Sequence, residues 1–227
     1  MVLGLAITGF AALGVYMLSV TGDAGAAASA TARLPGGLYL TPIGYALFVS
    51  PLKWAVIFAP LALVFLLGFR IQSMSPTAAQ TTFWIYAALV GVSLSVIFLV
   101  FTASSITRVF FITAASFGAL SLWGYTTQRD LSGFGSFLIM GLFGIIIASL
   151  VNIFLASSAL QFAVSVIGVL VFAGLTAWDT QRLKSEYIYG AMEGETQERA
   201  AIMGALSLYL NFINMFTMLL QLFGQRE

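Results

Sequence analysis

The chain has 227 residues, of which 60% are hydrophobic and only 7% are charged, with a formal net charge of +1. A soluble domain carries about 25% charged residues, so this composition excludes an ordinary soluble protein and indicates an integral membrane protein. The chain has no Cys and no His, which excludes disulfides, the usual zinc sites and Cys or His nucleophiles, and the near-neutral charge argues against a nucleic-acid partner.

Seven apolar segments follow one another along the chain. Each is close to the ~20 residues that a membrane-spanning helix needs. Lipid offers the backbone no hydrogen bonds, so helices are the expected spanning structure. We therefore predict one all-α transmembrane domain over residues 1–227. Its spans are approximately 2–20, 45–69, 82–103, 106–125, 134–156, 159–181 and 201–223.

The first segment is compatible with a span or with a secretory signal peptide. Ala28, Ser29 and Ala30 resemble a cleavage site. However, no basic residue precedes the segment, and its ~19 apolar residues exceed the 7–15 of a signal peptide, which favours a true span. Residues 21–53 follow as the longest predicted loop, and their prolines make the start of the second span hard to place.

The loops between the spans give two further predictions. Residues 152–159 leave room only for a tight turn, so spans five and six should form an antiparallel hairpin. Cytoplasmic loops of membrane proteins carry an excess of Lys and Arg. A cytoplasmic N-terminus would place five of these residues in the inner loops and four in the outer ones, so this small excess favours that orientation. The inner loops would hold Arg70, Arg129, Arg182, Lys184 and Arg199, and the outer ones Arg33, Lys53, Arg108 and Arg226.

Asp179 is an acidic residue close to the end of the sixth apolar run, which holds no other charge. An ionisable group costs about 2.5–3.5 kcal/mol at the centre of a spanning helix and less near its end. Asp179 could serve structure by pairing with Arg182 or Lys184, since residues three apart share a helical face. It could equally mark a functional site, and the residues alone leave both interpretations open.

A polar stripe runs along the seventh span. Its members are spaced by four, three and seven residues, which lays them along one face of a helix. They either join helices by hydrogen bonds or line a pathway beside Asp179, and the sequence does not decide between these. The stripe consists of Ser207, Asn211, Asn214 and Gln221.

Other charged residues offer weaker signals. Arg70 ends the second span, where a snorkelling side chain is the ordinary explanation, although a pair with Asp179 is possible. The segment 186–199 is an acidic inner loop that is typical of a solvated charge run. An aspartyl protease needs two carboxylates that share a proton, and only Asp179 lies within a span. We therefore predict that the protein is not an enzyme.

Three segments resemble the Bax inhibitor-1 family. Residues 178–184 read Trp-Asp-Thr-Gln-Arg-Leu-Lys, and residues 206–216 read Leu-Ser-Leu-Tyr-Leu-Asn-Phe-Ile-Asn-Met-Phe. Residues 117–127 (Phe-Gly-Ala-Leu-Ser-Leu-Trp-Gly-Tyr-Thr-Thr) lead into Arg-Asp-Leu-Ser at 129–132, a form typical of bacterial members. The resemblance covers roughly residues 45–227.

The resemblance implies a seven-helix fold with the last helix central among the other six, and a pH-sensitive calcium leak. In bacterial members, one aspartate on span six and one on span seven share a proton near the cytoplasmic side, and an Arg at the end of span two latches the closed state. Asp179 matches the span-six aspartate, and Arg70 matches the latch by its place. The span-seven aspartate falls at Asn211, where the pattern breaks.

This departure bears on pH sensing. Two close carboxylates titrate as a pair, whereas an amide cannot titrate but can donate a hydrogen bond to Asp179. The hypothesis is that the protein has lost or weakened the family's pH sensor and keeps a polar latch. The predicted ion pathway and latch residues are Asp179, Asn211, Arg70, Asn214 and Ser207.

The leading prediction is a multi-pass protein of the bacterial inner membrane that leaks cations, with Ca²⁺ as the transported ion and no cofactor. Asp179 is the one predicted metal ligand, although one carboxylate and amide oxygens make a poor site for Ca²⁺, which prefers six to eight oxygens. The alternative is a modulator of a membrane-bound quality-control protease that acts by protein contact. The lipid bilayer and Ca²⁺ are the other predicted partners.

Overall fold

The structure is a computed structural model that describes residues 1–28, 34, 37–189 and 194–226. It is almost entirely helical, with one two-stranded antiparallel hairpin in which Val20 lies opposite Leu40. Short 3-10 turns lie at Ala24–Ala26 and Ile71–Ser73. The helices and strands in chain order are α1 (Val2–Ser19), β1 (Val20–Thr21), β2 (Tyr39–Leu40), α2 (Pro42–Phe48), α3 (Leu52–Arg70), α4 (Pro76–Leu94), α5 (Ile97–Val100), α6 (Ala103–Thr126), α7 (Ser132–Leu155), α8 (Ser158–Tyr189) and α9 (Glu195–Phe223).

Within the described residues, seven helical stretches are long and apolar enough to cross a membrane. The predicted all-α architecture with seven spans is therefore confirmed, with α4 and α5 together forming the third span. Several helices begin earlier than predicted. Helix α4 begins at Pro76 rather than near 82, and α9 begins at Glu195 rather than near 201. Hydropathy locates the part of a helix in lipid, whereas the helix itself continues into water.

The predicted loop 21–53 contains strand β2, which pairs with β1, and helix α2, neither of which was predicted. Pro42 occupies the start of α2, and the Thr41 hydroxyl accepts a hydrogen bond from the Gly44 amide at 3.1 Å. Proline is favoured at the first turn of a helix, where its missing amide is not needed. The second span therefore begins at Leu52, after Pro51, rather than near 45. Ser29 and Ala30 of the cleavage-like motif lie outside the described residues, as does Arg33.

The chain divides into two compact units. In the first, Met1–Thr102 with Arg226, α4 packs against α1 and α3. The helices approach closely at Gly91, where an added Cβ would lie 2.5 Å from the Thr8 carbonyl oxygen. Thr8 donates a hydrogen bond from its hydroxyl to the Ala87 carbonyl at 2.9 Å, which ties α1 to α4.

The same unit contains a proline inside α3. Pro60 has no amide hydrogen, so it cannot donate to the Val56 carbonyl four residues earlier. Ser93 on α4 donates its hydroxyl to that carbonyl. A neighbouring helix thus satisfies the backbone group that proline leaves free, as spanning helices require.

In the second unit, Ala103–Gln225, α8 packs against α6, α7 and α9, and α9 also packs against α6. Close approach depends on glycine at Gly124, where an added Cβ would lie 2.2 Å from the Ala177 carbonyl oxygen. Gly204 on α9 likewise accommodates the Leu183 side chain of α8. The single domain and the central place of the last helix among six others stay predictions.

Helices α7 and α8 form the predicted antiparallel hairpin. Two residues join them, and Ala156 adopts a left-handed conformation with φ of 48°. The side-chain oxygen of Asn152 accepts a hydrogen bond from the Ser157 backbone amide at 2.9 Å, and the side-chain nitrogen of Asn152 donates to the Gln161 side chain at 3.1 Å. Asn152 therefore caps the end of α7 and binds the start of α8.

Candidate functional site

Asp179 lies on α8 in the second unit, and only 5% of its surface is exposed. It follows a stretch in which Thr176 is fully buried and Ala177 contacts Gly124 of α6. The carboxylate is thus held inside protein rather than in lipid or bulk water. A buried charge needs hydrogen-bonding partners or an opposite charge.

Asn211 on α9 supplies the first partner. Its amide nitrogen donates a hydrogen bond to the Asp179 Oδ2 at 2.8 Å, and Asn211 is itself only 5% exposed. Neighbouring α9 side chains Phe212 and Met215 are buried as well. The structure therefore joins α8 to α9 through an acid and an amide, the two residues at which the sequence predicted a contact.

Arg182 supplies the second partner, one helical turn along α8. Its guanidinium lies 2.9 Å from the Asp179 Oδ1 and stacks over the Trp178 ring at 4.9 Å. Lys184, the other residue that the sequence offered as a partner for Asp179, instead donates a hydrogen bond to the Tyr125 carbonyl at 2.7 Å. Sequence reasoning noted the Arg182 spacing but did not place Arg182 among the site residues, although the i, i+3 interval was the signal for it.

The other stripe residues are used differently. Asn214 donates to the Leu210 carbonyl of its own helix at 2.8 Å. Ser207 is half-buried, and no hydrogen bond joins it to Asp179 within the described part of the chain. Gln221 lies near the opposite end of α9, where its side-chain oxygen accepts from Gln161 and from Ser165 of α8. The pathway roles of Ser207 and Asn214 stay predictions.

Arg70 belongs to the first unit, where it ends α3 with an exposed side chain. Its carbonyl accepts a hydrogen bond from the Ser73 hydroxyl at 2.9 Å. A cation in the last turn of a helix is also favoured by the helix dipole. Its role as a latch for Asp179 stays a prediction.

Gln181 is a residue of this region that sequence reasoning missed. Its side-chain oxygen accepts from the Leu131 amide at 2.9 Å, and its nitrogen donates to the Arg129 carbonyl at 2.8 Å. The side chain thus holds the α6–α7 loop against α8, two residues after Asp179. Because the partners are backbone groups, no residue type in the loop could have signalled this contact.

The α6–α7 loop carries a charge of its own. The exposed Asp130 carboxylate accepts from the Ser132 amide at 2.9 Å at the start of α7. The hydrogen bonds from the Ser132 side chain and backbone hold the pKa of Asp130 below its ordinary value of 3.8. Asp130 is therefore ionised throughout the neutral range.

No group of three or more acidic side chains suited to a metal ion occurs within the described ranges. In the acidic inner loop, Glu195 pairs with Arg199 on the first turns of α9, and Glu186 lies 3.7 Å from Arg182. Glu193 lies outside the described residues. Both Asp179 oxygens contact protein donors, and its role as a metal ligand stays a prediction.

Comparison with known proteins gives concordant results. Residues 1–227 match the model of the family described as "Inhibitor of apoptosis-promoting Bax1". A protein of Caulobacter vibrioides is 46% identical over 217 residues, covering 93% of this chain and 87% of the relative. Protein RP147 of Rickettsia prowazekii is 51% identical over 188 residues, 82% of this chain and 78% of the relative. Inner membrane protein YbhL of Escherichia coli K12 is 53% identical over 174 residues, 76% of this chain and 74% of the relative.

Proposed function

Because this chain belongs to the Bax inhibitor-1 family and its seven spans make it a multi-pass membrane protein, we propose that it is a cation leak pathway with Ca²⁺ as its ion. The observation that carries the proposal is the buried Asp179, which bonds Asn211 across two spanning helices. The printed name of the Escherichia coli relative supports placement in a bacterial inner membrane. We propose a cytoplasmic N-terminus from the distribution of Lys and Arg.

The Asp179 carboxylate serves this function as the negative charge that a cation meets on its way along α8 and α9. In the described arrangement Arg182 and Asn211 occupy its oxygens. A passing cation would compete with the Arg182 guanidinium for the same carboxylate. Such weak, shared binding suits a leak, because a tightly held ion leaves slowly.

Asn211 sets the pH dependence of this site. An amide donates to the carboxylate at every pH, whereas a second carboxylate would share a proton with Asp179 and titrate with it. We therefore expect Ca²⁺ flux to vary little between pH 6 and pH 8. Asn211→Asp should restore the proton-sharing pair and introduce a pH dependence.

The test is Ca²⁺ flux in proteoliposomes that contain the parent, Asp179→Asn or Asn211→Asp, each at pH 6 and pH 8. Loss of the buried negative charge should lower flux about tenfold, equivalent to about 1.4 kcal/mol in the barrier. The matched control is Asp23→Asn, because Asp23 is an exposed acid in the first unit. Its flux should equal that of the parent.

Two outcomes would contradict the proposal. A steep pH dependence in the parent that Asp179→Asn abolishes would show that the pH sensor is intact without a second aspartate. Flux no greater than in empty liposomes for every variant would rule out a leak and favour the alternative, regulation of a membrane protease by contact.

A further inference from the structure

A cavity of about 440 Å³ lies beside the Asp179 site in the second unit. The α6–α7 loop forms one wall, and the last turns of α8 form the other. Its volume falls within the roughly 300–1,000 Å³ of small-molecule sites. It shares Arg182 with the Asp179 site, and its other charged lining residues have no role in the leak pathway described above.

The lining of the cavity carries both signs of charge. Arg129, Arg182 and Lys184 contribute cations, whereas Asp130 and Glu186 contribute anions. A lining with one sign of charge would suit a simple anion or cation. A lining with both signs suits a ligand that is itself zwitterionic.

Several of these groups have unused hydrogen-bonding capacity. The Arg129 side chain has no hydrogen-bond or ion-pair partner within the ranges that the structure describes. Glu186 has only a 3.7 Å contact to Arg182, and the Arg182 Nε, although buried, has no hydrogen-bond partner. The ammonium of Lys184 has three donors, of which the Tyr125 carbonyl takes one.

The surroundings of the cavity place it at the membrane surface. It lies where α6 ends and α7 begins, and both helices carry large exposed apolar side chains within a few residues of its lining. Trp123 and Tyr125 are 49% and 54% exposed on α6, and Phe134 and Phe137 are 51% and 60% exposed on α7. Exposed aromatic residues at the end of a spanning helix are typical of the level of the lipid headgroups.

We propose that this cavity binds the headgroup of a zwitterionic membrane phospholipid that carries a primary ammonium, the ethanolamine class. Arg129 binds the phosphate, since a guanidinium matches phosphate geometry. Glu186, whose carboxylate lines the cavity, accepts hydrogen bonds from the ammonium. The acyl chains lie along the exposed aromatic side chains of α6 and α7. The proposal does not depend on ion conduction.

The test is lipid binding to the full chain in detergent, with bound lipid counted by native mass spectrometry. Phosphatidylethanolamine and phosphatidylcholine with identical acyl chains are titrated separately. The quaternary ammonium of choline has no hydrogen to donate to Glu186. We therefore expect the parent to bind phosphatidylethanolamine about fivefold more tightly, a typical effect of one partly exposed charged contact.

Two variants separate the ends of the headgroup. Arg129→Gln should weaken binding of both lipids about fivefold, because both carry the phosphate. Glu186→Gln should remove only the preference for ethanolamine over choline. The matched controls are Arg108→Gln and Glu198→Gln, which change exposed residues of the same unit outside the cavity lining. Both controls should bind like the parent.

The source of the headgroup is tested by adding soluble phosphoethanolamine, which has no acyl chains. We expect that millimolar phosphoethanolamine does not displace the bound lipid, because the acyl chains of the lipid contribute to its binding. Displacement at the same concentration as the lipid would identify a site for a free phosphate ester and overturn the proposal. Equal binding of the two lipids by the parent, or equal losses in Arg129→Gln and Arg108→Gln, would also overturn it.

Discussion

Asp179 has exchanged water for two protein partners of different kinds. Arg182 neutralises its charge and Asn211 donates a hydrogen bond from another helix. The Asp179 side chain is 7% exposed and the Arg182 side chain 38% exposed, so the pair lies at the edge of the protein interior. Removing the cation would leave a buried acid with a single neutral donor.

We expect Arg182→Met to lower the free energy of unfolding by about 1–3 kcal/mol, the cost of leaving a buried polar group unpaired. Water that reaches the partly exposed arginine position keeps the loss below that of a fully buried pair. Asp179→Asn should suppress most of this loss, because an amide needs no cation. A double-mutant cycle of unfolding in mixed detergent measures the coupling, and additive effects of the two changes would contradict it.

At the level of single residues, the resemblance to the family predicted the Asp179–Asn211 contact, whereas the residue types alone indicated only that both are polar residues inside apolar segments. Such residues must find partners within the protein, and few candidates exist. The Gln181 contacts could not be predicted in this way. A glutamine at the end of a span has many possible partners, and its actual ones are backbone groups of a loop.

Among the helices, α3 illustrates how a proline is accommodated inside a spanning segment. Pro60 leaves the Val56 carbonyl without a donor, and the Ser93 hydroxyl of α4 supplies one. The hydrogen bond therefore couples the shape of α3 to its neighbour within the first unit. It also explains why a serine is placed within the apolar α4.

Ser93→Ala should destabilise the protein by about 1 kcal/mol, because the Val56 carbonyl loses its donor in a nonpolar setting. In a Pro60→Ala background the new amide can donate to Val56, so the same serine change should cost much less. Thermal unfolding of the four proteins in detergent checks this. An undiminished cost of Ser93→Ala beside Pro60→Ala would show that the serine acts elsewhere.

Helix existence was easier to predict than helix ends. Seven spans follow from apolar length, because a bilayer demands about 20 such residues. The start of α9 at Glu195 carries a Glu195–Arg199 pair rather than apolar residues, so hydropathy does not register it. The short α2 was missed because residues 21–53 were predicted as a loop whose prolines obscured the start of the second span, whereas Pro42 lies at the start of a helix, where proline favours helix formation.

At the scale of the whole molecule, each compact unit depends on close helix contacts that small residues permit. In the second unit, Gly124 lets α6 approach the backbone of α8 beside Asp179. The hydrophobic effect contributes little to the association of helices in lipid, so such close packing supplies much of the stability of the folded protein. Sequence alone does not distinguish a contact glycine from a lipid-facing one.

Gly124→Ala should destabilise the protein by about 1–3 kcal/mol, since its Cβ would overlap the Ala177 carbonyl and force α6 away from α8. Gly118→Ala on the same helix is the matched control. No atom lies within 4 Å of a Cβ added there, and alanine is a better helix former than glycine. Resistance to thermal unfolding in detergent should fall for the first variant only, and equal behaviour of the two would contradict the packing argument.

The two-residue connection between α7 and α8 makes these helices one unit during insertion into the membrane. Because only Ala156 and Ser157 join them, a crossing of α7 carries the start of α8 to the same side of the membrane as the end of α7. The hydrogen bond from Asn152 to Gln161 satisfies part of the hairpin's polar surface at this stage. Gln161 and Ser165 reach their remaining partner, Gln221, only when α9 arrives from the ribosome. The order of synthesis therefore determines the order in which polar groups of the second unit are removed from lipid.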